Sequence, residues 1–94
     1  TSFFKDQITK LPSEIKALII RMDRVPYIDQ SGLYALEETI MELNKKDVEV
    51  ILTKVQSQPL DMLRSISIVP DLVPEEDLFD SIEDAFAFLK KELS

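Results

Sequence analysis

Asp29, Ser31 and Gly32 are the residues of this 94-residue chain whose types and spacing come nearest to chemistry. They lie in residues 25–36, VPYIDQSGLYAL, where an apolar segment ends in an Asp-x-Ser-Gly turn that opens directly into a helical pattern. A hydroxyl at a helix start sits against unpaired backbone N–H groups and the positive end of the helix dipole. Ser31 therefore reads as an exposed phosphorylation switch or contact residue, an anion contact, or a structural cap. Asp29 can accept N–H bonds from two and three residues further on, which would hold the chain as it turns. Gly32 is the only glycine, and in a first helical turn it costs roughly 0.5–1 kcal/mol relative to Ala. Close backbone approach or an unusual dihedral would account for it, so Asp29 and Gly32 are read as turn-supporting.

The composition removes most other chemistry. The chain has no cysteine and no histidine, so disulfides, thiol chemistry and the commonest metal ligand and general base are all missing. Ser/His, Cys/His and zinc catalysis are excluded within these residues, and the chain is read as non-enzymatic, with no cofactor and no metal. Asp23, Arg24 and Asp29 cluster near the turn. Without a Gly-rich loop, a phosphate-binding lysine motif or spaced carboxylates, however, they make a weak cation or nucleotide site. No apolar run reaches the roughly 18 residues of a membrane span, and no basic-then-apolar leader is present. Ninety-four residues allow one domain with a thin core. The opening Thr1-Ser2-Phe3-Phe4, without an initiator Met, reads as part of something longer.

The net charge of −7 is concentrated in one place. Residues 71–84 hold seven acids and no Lys or Arg, whereas the other 80 residues carry 11 acids and 11 bases. An anionic segment repels phosphate backbones, so nucleic acid is not an expected partner and a basic protein surface is. Glu75, Glu76, Asp77 and Asp80 form the candidate acidic interaction patch; a solvated loop leading into an acid-favouring helix start is the plainer alternative.

Around these residues the patterning alternates. Phe4, Ile8 and Leu11 fall at helical spacing before Pro12, and residues 17–20 form an apolar run of the kind covered on both faces of a parallel sheet. A helix is predicted over 31–46, with Leu33, Leu36, Ile40 and Leu43 inward and Glu37, Glu38, Glu42 and Lys45 outward. Residues 48–55 give a second strand. Pro59 suits the first turn of a short helix carrying Leu60, Leu63 and Ile66, with Leu63 buried and Met62 an adaptable docking residue or core. Pro70 and Pro74 break the next stretch, where only Leu78 and Phe79 suit a short edge strand. Ser81 with Asp84 reads as a capping start to a last helix whose inner face is Ile82, Ala85, Phe86 and Leu89. Tyr27, beside Pro26, is expected to be core or a lid on it rather than an interface aromatic. The alternation is that of an α/β fold.

The turn IDQSGL after a strand, the helix behind it, the later VQSQPLDMLR and the closing LFDSIEDAFAFL resemble a STAS domain, the module of sulfate transporters and anti-sigma factor antagonists. The likeness covers most of the chain from Phe3 onward. VPYIDQSGLYALEE followed by VQSQP is more similar to the cytoplasmic C-terminal STAS domain of bacterial SulP-type anion transporters than to a free antagonist. The resemblance implies a single STAS domain over residues 1–94, with a mostly parallel central sheet flanked by about four helices. The two strands with which that family opens are missing here.

It further implies a regulatory or interaction domain of a transporter of the sulfate, dicarboxylate or bicarbonate class, acting in assembly, trafficking or gating at the cytoplasmic face of a bacterial inner membrane. The implied partners are the transmembrane part of the same transporter, a cytoplasmic regulatory protein, and a second copy through the parent transporter. Ser31 falls where anti-sigma antagonists carry the serine whose phosphorylation abolishes binding. A freestanding anti-anti-sigma factor is the second reading, and a nucleotide or anion sensor at the Ser31 helix terminus the third.

Overall fold

A computed structural model describes residues 15–93. Three parallel strands, β1 (Ala17–Arg21), β2 (Glu49–Thr53) and β3 (Leu78–Phe79), form one sheet in the order β1-β2-β3. Helices α1 (Gln30–Lys45), α2 (Ser57–Ser65) and α3 (Ile82–Leu93) flank it, with two short helical turns at Ile68–Leu72 and Glu75–Asp77. The helix expected on Phe4, Ile8 and Leu11 lies outside the described residues.

The central strand is apolar because both of its faces are covered. Val50 and Leu52 join the core of Leu33, Ile40, Leu43 and Leu63, and Ile51, pointing the other way, is also fully buried. Burying one such side chain contributes about 1.5–3 kcal/mol. α1 follows its predicted period, with Leu33, Ile40 and Leu43 buried and Leu36 packed at the edge of the core. β1 departs from expectation: its first four residues are half-buried rather than covered on both faces, since among the described residues it pairs only with β2 and is an edge strand.

The end of α1 is set without glycine. The Asp47 N–H donates to the Asn44 carbonyl at 3.0 Å and the Val48 N–H to the Leu43 carbonyl at 2.9 Å, closing a left-handed helix cap. Asp47 takes the left-handed conformation with φ of 60°, and Val48 turns into the core. At the other end of the chain, Ser81 Oγ accepts the Asp84 N–H at 3.1 Å, as the capping pattern predicted.

The inner face of α3 needs correction. Phe86 is 59 % exposed, whereas Ala85 is buried and Phe88 packs its ring against Phe79 with centroids 5.2 Å apart. Both phenylalanines fit a helical period, and the aromatic partner on β3 selects Phe88.

Candidate functional site

β1 delivers the chain to a loop over residues 22–29 that opens with a turn, the Val25 N–H donating to the Met22 carbonyl at 3.1 Å, and α1 begins one residue earlier than predicted, at Gln30. Asp29 is its N-cap: in extended conformation, its Oδ1 accepts the Gly32 N–H at 2.8 Å and its carbonyl accepts the Leu33 N–H at 2.8 Å. Ser31 is therefore not the cap. It is the second residue of α1, exposed, and among the described residues no hydrogen bond engages its hydroxyl.

Gly32 has an ordinary helical φ, so an unusual dihedral does not explain it. Close approach does: a Cβ there would stand 3.2 Å from Asp29 Oδ1 and 3.2 Å from Ile28 Cγ1. The glycine lets the capping carboxylate fold under the helix while Ile28 packs beside it.

A residue that patterning did not single out fixes the loop. Gln58, in the first turn of α2, accepts the Ile28 N–H on Oε1 at 2.8 Å and donates through Nε2 to the Ile28 carbonyl at 3.0 Å. Gln56 donates through Nε2 to the Asp23 carbonyl at 3.0 Å. The two glutamines of VQSQP thus tie α2 to the backbone that precedes the helix start. Their sequence signals were a polar pair where a strand gives way to Pro59, equally at home in an untethered loop, and their place in the VQSQP motif of the family resemblance, neither of which names the backbone they hold.

The surface beside this start is aromatic and exposed. Tyr27 is 67 % exposed, against its expected place in or over the core, and Tyr34 is 48 % exposed, with its hydroxyl accepting from Gln30 Nε2 at 3.2 Å. Pro26, Gln30 and Ser31 are exposed as well. Met62 is half-buried against the core and Leu63 fully buried, so Leu63 is structural. Asp23 pairs with Arg21 at 3.6 Å while Asp29 caps, which leaves the Asp23–Arg24–Asp29 group without a shared focus. Among the described residues no group of three or more acids is arranged to hold a metal ion.

The acidic patch divides. Glu75 accepts two bonds from Arg64 Nη2, at 2.9 and 3.2 Å, so a base from α2 neutralises part of a segment that carries none of its own. Asp77 is buried and unavailable to a partner, while Glu76 and Asp80 remain exposed. The Asp77 carboxyl and those of Glu49 on β2 and Glu92 near the end of α3 act on one another electrostatically. Burial pushes the Glu49 carboxyl above its ordinary pKa, helped by the charge and hydrogen bond of Asp77. Burial likewise raises Asp77; the Glu49 hydrogen bond works against this, and the charges of Glu92 and Glu76 work with it. Glu92 shifts the same way, through desolvation and then its contact with Glu49.

A family model described as "STAS domain" matches residues 1–85. The chain is 37% identical over 79 residues to High affinity sulfate transporter 1 of Stylosanthes hamata, a match covering 84% of this chain and 12% of that protein. It is 31% identical over 88 residues to Sulfate transporter 1.3 of Arabidopsis thaliana, covering 94% of this chain and 13% of that protein. A crystal structure of a sulfate transporter family protein from Wolinella succinogenes superposes with a TM-score of 0.84 at 30% identity, covering 96% of this chain and 73% of that one. The chain thus spans about an eighth of the length of these curated relatives, and no helix among its described residues is long and apolar enough to cross a membrane.

Proposed function

This chain belongs to the STAS domain family, and we propose that it is the non-enzymatic regulatory and interaction domain of a SulP-type anion transporter whose membrane-spanning part lies outside these residues. Its place is the cytoplasmic side of the membrane that holds the parent transporter. Its partners are that transporter's membrane part, a cytoplasmic regulatory protein, and a second copy brought in through the parent. Its work is in assembly, trafficking or gating. The matches to proteins named as sulfate transporters favour this over a freestanding anti-anti-sigma factor.

One observation carries the reading to particular residues. Asp29 takes the cap and the two glutamines hold the approach, so Ser31 is left exposed on a rigid helix start beside Tyr27 and Tyr34. A contact or switch needs a fixed, accessible group of this kind, and exposed tyrosines supply contact area at small entropic cost. Phosphorylation would add about −1.5 to −2 charges there, where the helix dipole favours them, so the surface changes while the fold persists. The exposed Glu76 and Asp80 suit basic cytoplasmic loops, the sign expected on that side of a transporter.

The test uses the full-length transporter. Ser31→Ala, Ser31→Asp and wild type are compared for anion uptake per molecule at the cell surface. Uptake or surface delivery altered by Ser31→Asp, with the protein folded, supports the role. Unchanged uptake and delivery in both variants removes Ser31 from the mechanism, and normal transport after deletion of the whole domain would sink the regulatory reading.

A further inference from the structure

The outward residues of α1 fall at a spacing that a helix packed on one side only does not need. Ser31, Tyr34, Glu38, Met41 and Lys45 succeed one another at intervals of three and four residues, and all five are exposed. This is the seam spacing with which one helix lies lengthwise against another, on the side of α1 away from the buried Leu33, Ile40 and Leu43. Tyr34 and Met41, 48 % and 43 % exposed, stand two turns apart on that seam, and the Tyr34 hydroxyl accepts from Gln30. Large apolar side chains scattered singly over a surface need no explanation; aligned on a seam they make a contact line.

The charges on the seam say which helix fits. Glu38 lies between the two apolar residues and Lys45 beyond them. A parallel copy of α1 would set Glu38 against Glu38 and Lys45 against Lys45. An antiparallel copy, related by a two-fold axis passing between Thr39 and Ile40, sets Tyr34 against Lys45 of the second copy and Glu38 against its Met41. Each Lys45 then lies over a tyrosine ring and one turn from an acid, so cation–π contact and charge attraction replace repulsion. Within one chain Lys45 Nζ stands 3.9 Å from Glu42 Oε1, a surface pair worth little and readily exchanged.

We propose that the outer face of α1 pairs antiparallel with the same face of a second copy of this chain, Tyr34 against Lys45 in both directions. The pairing rests on the reading of the chain as a transporter domain. Five seam residues are few against the roughly 20–30 a side of a standard interface, so the contact forms where the parent holds two copies together at an effective concentration of about the millimolar range. Glu38 and Lys45, polar groups inside the seam, set its direction and register rather than its strength. Ser31, at the end of the seam, stays at the rim.

The experiment is disulfide trapping in the full-length transporter, with any cysteine outside these residues replaced; the chain itself has none. Tyr34→Cys and Lys45→Cys together should give a linked dimer under mild oxidation, several-fold more than either substitution alone. Across the proposed axis two copies of position 34 stand about 16 Å apart along the helices, too far for a disulfide, and so do positions 34 and 45 of one chain. Adding Met41→Asp, which sets an acid against Glu38 of the second copy, should cut the yield several-fold. Adding Phe86→Asp, at an equally exposed apolar residue on α3, should leave it unchanged. Equal yields from the double and single cysteine variants, or a yield that Met41→Asp does not lower, would overturn the pairing. Cysteines that neither link nor react with a soluble maleimide would also overturn it, since another part of the transporter then covers the face. The assay reads no transport, so its failure leaves the regulatory reading to the uptake test.

Discussion

Gln58 brackets Ile28: one carboxamide, thirty residues away in sequence, satisfies both the N–H and the carbonyl of a single loop residue. It gives Ile28 the two bonds that a neighbouring strand would supply. Both groups are part-buried, so removing the amide leaves them short of partners. Gln58→Ala should cost about 1–3 kcal/mol in urea unfolding. Gln58→Glu, which loses the donor and keeps an acceptor shape, should recover only part of this at neutral pH. A cost within about 0.5 kcal/mol for both would show that the bracket does not hold the loop.

Gly32→Ala tests the crowding below the helix start. Alanine would gain roughly 0.5–1 kcal/mol in a free helix. Here its Cβ meets the capping Oδ1 and Ile28 Cγ1, each at 3.2 Å, and Ile28 is held by Gln58. A net loss of about 0.5–1 kcal/mol is expected in thermal or urea unfolding. In an Asp29→Ala background the carboxylate is gone, and the same substitution should become neutral or favourable. Equal effects in the two backgrounds would mean the cap and the glycine are independent.

Asp29 and Ser31 separate by role. Asp29→Ala removes the cap and should cost about 0.5–2 kcal/mol. Ser31→Ala, at an exposed hydroxyl with no bond among the described residues, should change stability by less than about 0.5 kcal/mol. Chemical denaturation of the two single variants decides it; a Ser31 cost equal to that of Asp29 would return the serine to a capping role.

Asp47 occupies a left-handed position where glycine is the usual choice. Asp47→Gly keeps the Leu43–Val48 closure and relieves the side chain's conflict with the backbone. A stabilisation of up to about 1 kcal/mol is expected, read as a raised Tm. A loss of stability would show that the aspartate side chain supports the cap by contacts of its own.

Much of the fold was legible because periodicity reports burial. Leu33, Ile40 and Leu43 sit where a 3.6-residue period places them, and residues 78–79 form the short edge strand that the prolines left room for. Asp29 followed by the Ser-Gly pair located the helix start to within one residue. What escaped were choices made by distant partners. Phe86 and Phe88 are separated only by the presence of Phe79, Asp77 is buried by the approach of β2, and Gln58 acquires its role from a loop thirty residues upstream. A single hydrophilic side chain has no period, so its tertiary partner leaves no local trace.

The order of the sheet also governs how the chain can reach this structure. β1 meets β2 through pairs such as Ala17 with Glu49, 32 residues apart, and β2 meets β3 through Leu52 with Leu78, 26 apart. Neither of these two pairs can zip outward from a tight turn, because parallel strands need a crossover between them. Each pairing waits on a loop closure whose entropy must be met before the sheet bonds repay it. β2, the only strand common to both pairings, is the point where these closures converge. Truncating Ile51 or Leu52 should therefore slow refolding as well as speed unfolding, whereas truncation at Phe79, on the far edge, should be felt mainly in the unfolding rate.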